Sequence, residues 1–467
     1  MFIFFFLLAL FLYIYAPLEY NQVYCIWMAV IYLIESFFFL RKEVQNRNYI
    51  TFNSLFLISF FFVTYAFAAF ISGSTGEAIL SSLIKRIDFK YLTKAVALSH
   101  LAINCYFLGF SLSKKRKKTM LIEPELPDLR EKIDSTIINE KLSKTLYLFS
   151  FIAVFINYLS HLYTGESVAV SENPFLYDIY RCVFIIAIVC STLKNVNIKA
   201  SVFEYCRKNF LYISTSFIFI LLCLVIGDRG PVITCILVIA GTYLIMVKRL
   251  KGSILLLSIS VAIILMFSIR MTRTSSESIQ NGVGAFTESA TAALAERSSI
   301  WDTMADLTGI FAEMTVGYER VQQTGIIYPA KIIIVPFYPF PMVPSLLSKL
   351  LYNKSPNELS SGALIGQYAT IPWPNGTHCV IDIYIFWGLP GVIFLFFLFG
   401  CFIKWIYTKL NNDIYCLLIY IMLIGISIYI PRSSILDFIR PMGYIIFFSA
   451  LIIRPKQRRH ISYVEEI

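Results

Sequence analysis

The residues best suited to chemistry in this sequence are arginines, and they recur where apolar runs begin and end. Arg181 lies early in one such run, Asp228 and Arg229 fill a GDRG turn between two others, and Arg270 and Arg273 leave a further one. Arg297 and Arg320 follow in a long hydrophilic stretch, and Arg432 and Arg440 flank the last outer turn. A guanidinium group is planar, permanently charged and able to hold phosphate oxygens through two parallel hydrogen bonds, so arginines converging on one membrane face suit a diphosphate. The plainer alternative is that each arginine reaches to the lipid surface or pairs with a neighbour such as Asp228, Glu319 or Asp437. Lysine would serve that purpose equally well and is scarce at these helix ends, which favours a shared role for the set.

Two local patterns add to the arginines. The glycines of GDRG permit a tight turn with φ > 0, and a plain hairpin would need nothing more. The charged pair between them presents Arg229 at a defined point, unless Asp228 and Arg229 simply contact each other. Where the hydrophilic stretch ends, NGTHCVIDIYIFWGLPGV places His378 and Asp382 four apart, on one face of a helix. Such a pair can hold a proton acceptor close to a substrate hydroxyl. Equally, His378 can cap the helix while Asp382 pairs with an arginine. The NGT triplet matters as a glycosylation acceptor only in a eukaryotic secretory pathway and is given no weight. Walker loops, dinucleotide fingerprints, HExxH and triad-like serine contexts are missing, so no cofactor is expected. Most of the ten cysteines lie inside apolar runs without C-x-x-C or Cys/His spacing, so neither a disulfide framework nor a metal site is expected.

The elements that must position these groups follow from composition. The 467 residues are 58% hydrophobic and 16% aromatic with a mean hydropathy of +0.71, more apolar surface than a water-soluble globule of this length can bury. The net charge of +11 sits in short clusters between apolar runs, which reads as a topology signal and not as a nucleic-acid surface. An all-α polytopic membrane bundle is predicted, with about twelve spans of ~20 mostly apolar residues each. They are approximately 1–16, 23–40, 49–72, 92–112, 145–163, 176–193, 209–226, 231–247, 253–269, 378–403, 413–430 and 437–454. The first begins apolar at Phe2 without a charged leader region and is expected to be retained.

Alternate loops carry the basic residues: Arg41, Lys42 and Arg47; the run 114–118; Lys194, Lys199, Arg207 and Lys208; Lys248, Arg249 and Lys251; Lys404 and Lys409; and the tail from Arg454. Positive charge marks cytoplasmic loops, so an even number of spans with both ends cytoplasmic is expected. Lys85, Arg86 and Lys90 run against this pattern and are assigned to a short outer interfacial helix. Residues 1–269 then hold nine spans with a cytoplasmic loop at 113–144, residues 270–377 form one large outer loop, 378–454 hold three spans, and 455–467 form a cytoplasmic tail. Within the outer loop a helix is expected over 290–312. The stretch 332–347, with Pro336, Pro339, Pro341 and Pro344, cannot form a regular spanning helix and is expected against or partly within the membrane surface.

GDRG between two spans, the loop segment ERSSIWDTMADLTG and the returning IDIYIFWGLPGVIFLFFLFG together resemble the bacterial O-antigen and capsular polysaccharide polymerases of the Wzy type. The motifs fall within roughly residues 225–400, while the topology covers the chain. The resemblance implies a GT-C-like, metal-independent glycosyltransferase of the inner membrane. It would move a growing glycan from one undecaprenyl pyrophosphate carrier to the nonreducing end of a repeat unit on another, on the periplasmic face. By the same likeness Arg229, Arg297 and Asp382 are the positions carried over, with an aspartate here where many relatives have glutamate. His378 stays beside Asp382 as a candidate base. Arg181, Asp228, Arg270, Arg273, Arg320, Arg432 and Arg440 are candidates for holding the pyrophosphate or glycan. A chain-length regulator and a flippase are partners implied by the family alone. An O-antigen ligase is the alternative within the same chemistry, and a polysaccharide flippase or other transporter the alternative outside it. Against transport stand the lack of an evident repeat and the outer loop of about a hundred residues, far longer than an ordinary connection.

Overall fold

A computed structural model describes residues 1–45, 49–70, 89–113, 136–164, 174–197, 199–226, 228–248, 310–327, 333–340, 342–369 and 376–455. The span expected at 253–269, the segment 290–309, Arg270, Arg273, Arg297, Lys85, Arg86, most of the 113–144 loop and the tail beyond 455 lie outside them.

The first helices are α1 (Phe2–Tyr15), α2 (Gln22–Gln45) and α3 (Phe52–Phe61), which runs through a π-helical turn (Phe62–Ala66) into α4 (Phe67–Phe70). Next come α5 (Leu92–Leu112), α6 (Glu140–Thr164) and α7 (Pro174–Asn195). A short α8 (Val202–Lys208) meets α9 (Phe210–Ile226) at a bend of 92°, and α10 (Arg229–Met246) follows. The outer loop contributes α11 (Phe311–Thr324), a 3-10 turn (Val335–Phe337), α12 (Val343–Tyr352) and α13 (Ser361–Ala369). The chain returns through α14 (Cys379–Lys409), α15 (Ile414–Ile426) and α16 (Ile439–Ile452).

Seven of the described helices are long and apolar enough to cross a bilayer, or eight with the bent α8–α9 pair counted as one span. Three further expected spans coincide with shorter apolar helices, α1, α15 and α16. At ~1.5 Å per residue these fourteen-residue or shorter helices reach only about 20 Å, less than the ~30 Å hydrocarbon core, which is why they fall short as complete spans. Pro441 does not break α16, because it stands in the first turn, where its missing N–H has no intrahelical partner to lose.

The predicted helical membrane bundle is the architecture found, with one short addition: Thr136–Ile138 (β1) pairs antiparallel with Ile453–Pro455 (β2), tying the start of α6 to the end of α16. The helix expected over 290–312 lies almost wholly outside the described residues; α11 over 311–324 buries Phe311, Met314, Thr315 and Tyr318 against its neighbours.

The helices form two packs joined by α14 and α15. One contains α1 to α5 with α14 and α11; the other contains α6, α7, α9, α10, α15 and α16. Lipid tails are as apolar as leucine, so association inside a membrane depends on close van der Waals contact, which small residues allow. The α5–α14 crossing shows this. A Cβ added at Gly109 would lie 2.0 Å from the Phe397 carbonyl oxygen, and one added at Gly400 would lie 2.2 Å from the Tyr106 carbonyl oxygen. The first pack also encloses Glu35 of α2, whose Oε2 lies 3.4 Å from His100 Nε2 and accepts from Asn104 Nδ2 at 2.9 Å. His100 Nδ1 meets the Tyr65 hydroxyl of the π-helical turn at 3.0 Å.

Contacts between loops follow the alternation read from the basic residues. On the basic side, Lys194 pairs with Glu140 at 2.9 Å, the Lys199 N–H donates to the Val247 carbonyl, and β1 joins β2. On the opposite side, Tyr158 reaches Asp228, Arg440 reaches Asp178, and Thr64 reaches His378. Every helix end assigned to one face is thus in contact only with ends assigned to the same face among these pairs.

Candidate functional site

A cavity of about 210 Å³ opens at one end of the second pack, where α10 begins. Tyr177 and Arg181 of α7 form one wall, Gly230 and Thr234 of α10 another, and Ile426, Tyr429, Ser433 and Asp437 from the α15–α16 connection the third. Arg181 is 13% exposed, and its Nη2 donates to Asp178 Oδ1 at 2.7 Å, one turn back on α7. Asp178 uses its other oxygen for Arg440 Nη1 at 3.5 Å, so a single carboxylate holds two guanidinium groups. Arg181 Nε has no hydrogen-bond partner among the described residues, and the charge of Asp437 also acts on this side chain. Arg440 stacks over the Tyr338 ring at 5.5 Å, which brings the proline-rich stretch to the same place.

The GDRG turn supplies the second wall. Asp228 is the N-cap of α10: its Oδ1 accepts from the Gly230 N–H at 3.1 Å and its Oδ2 accepts from the Tyr158 hydroxyl at 3.0 Å. The aspartate's presence is therefore explained by helix capping, which satisfies backbone donors that have no partner in the first turn. Arg229 opens α10, and its carbonyl accepts from the Tyr429 hydroxyl at 3.2 Å. Arg432, Asp228 and Arg229 all lie close enough to Tyr429 for their charges to act on its hydroxyl. The structure thus gathers Arg181, Arg229, Arg432 and Arg440 at one end of the bundle, balanced by Asp178, Asp228 and Asp437.

His378 and Asp382 stand behind this wall and not in it. His378 is fully buried as the N-cap of α14, its Nδ1 accepting from the Val380 N–H at 3.3 Å and its Nε2 meeting Thr64 Oγ1 at 2.9 Å. The part of the alternative that concerned His378, helix capping, is the geometry found. Asp382 is 1% exposed and accepts from two serine hydroxyls, Ser361 at 2.5 Å and Ser434 at 2.6 Å. The Ser434 N–H in turn donates to Asp437 Oδ2 at 3.1 Å, so Asp382 reaches the cavity through one intervening residue.

The W-G-x-x-G pattern is a backbone device. Gly388 has φ +64°, breaking α14 where Pro390 also stands, and a Cβ on Gly388 would meet Ile326 Cδ1 at 2.5 Å. The freed Ile385 carbonyl accepts from the Ile327 N–H at 3.0 Å, so the break seats the segment that follows α11. Arg320 lies elsewhere, on α11 close to Tyr368, whose hydroxyl reaches Glu319 and Gln323. It is not part of the cavity wall.

Several residues of the site were not singled out from sequence. Asp178 carried a usable signal, an acid three residues before Arg181 in one apolar run. Tyr177, Tyr429 and Ser434 carried none, since isolated tyrosines and serines recur throughout the chain.

Fold and site together define a multi-pass membrane protein with an arginine-flanked cavity at one end of its helical bundle. The chain belongs to the family of O-antigen polysaccharide polymerase Wzy, whose family model matches residues 1–458. No curated protein and no solved structure gave a match.

Proposed function

We propose that this chain joins undecaprenyl-pyrophosphate-linked oligosaccharide repeat units into O-antigen or capsular polysaccharide on the periplasmic face of the bacterial inner membrane, with both termini cytoplasmic and a GT-C-like arrangement. A hydroxyl at the nonreducing end of the incoming unit attacks the anomeric carbon at the reducing end of the growing glycan. The new glycosidic C–O bond forms as the bond to the pyrophosphate breaks, the electron pair leaves with the phosphate oxygen, and the hydroxyl proton passes to a base or to the departing diphosphate. The leaving group is already activated, so neither metal nor nucleotide sugar is needed. Partners on family grounds are a chain-length regulator and a flippase.

The observation that carries this reading is the cavity flanked by Arg181, Arg229, Arg432 and Arg440. Positive groups fixed where charge develops lower a barrier more than the same groups would in water, because they need no reorganisation. A diphosphate entering here would compete with Asp178 for Arg181 and Arg440. Arg297, Arg270 and Arg273 remain assigned to the same role from sequence, and Arg320 to contact with glycan. We assign Asp382 to holding the α15–α16 connection through Ser434, and His378 to fixing the start of α14; either serves as base only if that packing opens.

Purified protein given its lipid-linked repeat unit should produce a ladder of products without nucleotide sugar or divalent metal. Transfer onto a lipid A core acceptor without a ladder would instead mark a ligase, and movement of unreacted substrate across vesicles a transporter. In the native host, Arg229→Ala or Arg297→Ala should remove long-chain polysaccharide; unchanged chains would count against either role.

A further inference from the structure

Among the described residues, one helix after α11 has an apolar side with no protein against it. α12 is amphipathic: Met342 at its cap is 84% exposed, and Leu346 and Leu350, each one turn further on, are 66% and 77% exposed. Val343, Leu347 and Leu351 widen the same side, which spans about half the circumference at ~100° per residue. Pro344 and Ser348 face the protein, the latter donating to the Lys354 carbonyl at 2.7 Å. Exposed Ser345 and Lys349 border the apolar side along one edge.

The position of this helix is fixed by the segment before it. Pro339 packs directly on α16, where a Cβ at Gly443 would meet the proline Cβ at 2.3 Å, and Tyr338 lies under Arg440. Gly443 is one turn into α16, and the following turn of that helix exposes Ile446 and Phe447, at 45% and 60%, as part of its lipid-facing surface. The segment leading into α12 is therefore seated on a helix that itself exposes apolar side chains, as a lipid-facing helix must. Crossing is ruled out by length, since ten residues reach roughly 15 Å, about half a hydrocarbon core. Both ends also turn sharply, with φ +65° at Met342 and +51° at Asn353.

We propose that α12 lies flat in the outer leaflet of the bilayer, with Met342, Leu346 and Leu350 among acyl chains and Lys349 at the headgroups, pinning the outer loop to the membrane beside the arginine cavity. This is the energetically consistent placement for an amphipathic helix with a broad apolar side at an interface. It rests on the membrane-spanning fold and stands or falls independently of the reaction assigned to the cavity.

Spin labels on Leu346→Cys and Leu350→Cys test it, in protein reconstituted in lipid nanodiscs with Cys206→Ser and Cys401→Ser, the two cysteines that are not buried. Collisions with oxygen, which partitions into lipid, should relax both labels more than collisions with a water-soluble nickel chelate. The order should reverse for a label on exposed Asn357→Cys. Dominant nickel relaxation at 346 and 350 would place the helix in water, and shielding from both reagents would place a protein surface over it; either overturns the proposal. Unsubstituted protein offers a second reading, since a lipid-borne photoactivated carbene should mark the peptide 343–352, and an unmarked peptide would refute the placement.

Discussion

Arg181 can be tested for two distinguishable roles, as a ligand for diphosphate or as a partner that merely neutralises Asp178. Its Nη2 lies 2.7 Å from Asp178 while its Nε has no partner among the described residues, so the group has donor capacity left over. One charge-assisted hydrogen bond to a diphosphate oxygen is worth about 1.5–3 kcal/mol. At ~1.4 kcal/mol per factor of ten, Arg181→Ala should lower kcat/KM for the lipid-linked repeat unit about 10- to 150-fold. Asp178→Asn separates the roles. If Arg181 is a ligand, removing the competing carboxylate frees both Arg181 and Arg440, and the KM for substrate should fall. If Arg181 serves only to neutralise Asp178, both substitutions should destabilise the protein, by up to about 3–5 kcal/mol, with activity falling in step; Arg181→Ala should cost the less, since Asp178 keeps Arg440. The assay is ladder formation by purified protein together with a thermal melt of each variant. Activity that falls only in proportion to stability in both variants would refute the ligand role, as would an unchanged kcat/KM in Arg181→Ala.

Four further outcomes are expected. Gly400→Val should separate α5 from α14, because its Cβ would sit 2.2 Å from the Tyr106 carbonyl oxygen; a loss of about 3 kcal/mol or more, at the upper end for overpacking, should show in the melting temperature in detergent. Gly388→Ala must adopt φ +64° and displace Ile326, so about 1–2 kcal/mol for the left-handed backbone plus the clash should be lost, read in the same melt. Ser434→Ala leaves the buried Asp382 one donor short, and a loss of about 1–3 kcal/mol accompanied by a lower kcat is expected, whereas Ser434→Thr should restore most of both. The Glu358 carboxylate is held below its ordinary value of 4.5 by the Ser355 backbone N–H and hydroxyl. A depressed acid contributes stability above its unfolded value and loses it as pH falls through the folded one, so hydrogen exchange at the Ser355 amide should speed up only below about pH 4.5.

The membrane-spanning elements could be read from sequence because each needs a long run of apolar residues, and the basic loops predicted which helix ends meet. Lys194 with Glu140 on one face and Arg440 with Asp178 on the other agree with that alternation. The clustering of Arg181, Arg229, Arg432 and Arg440 was legible as a shared face but not as a cavity, because the wall is completed by Tyr177, Thr234 and Tyr429, residues without a distinguishing pattern. The β1–β2 ribbon was hidden for a different reason: three-residue strands carry no periodicity, and β2 directly continues the last span. Glu35 and His100 were detectable, since ionisable groups inside apolar runs are costly and need partners, yet their pairing depends on how α2 and α5 pack. The W-G-x-x-G pattern carried part of the family resemblance but gave no sign of its local role, which is to bend a helix and seat the segment at Ile326 and Ile327.

Asp382 has one oxygen committed to each of two separate parts of the chain, Ser361 in the outer loop and Ser434 between the last two helices. Neither hydroxyl can move away without leaving a buried negative charge short of a donor. Ser361, Asp382, Ser434 and Asp437 thus form one hydrogen-bonded chain from the start of α13 to the rim of the arginine cavity, so two stretches far apart in sequence share a single buried anchor.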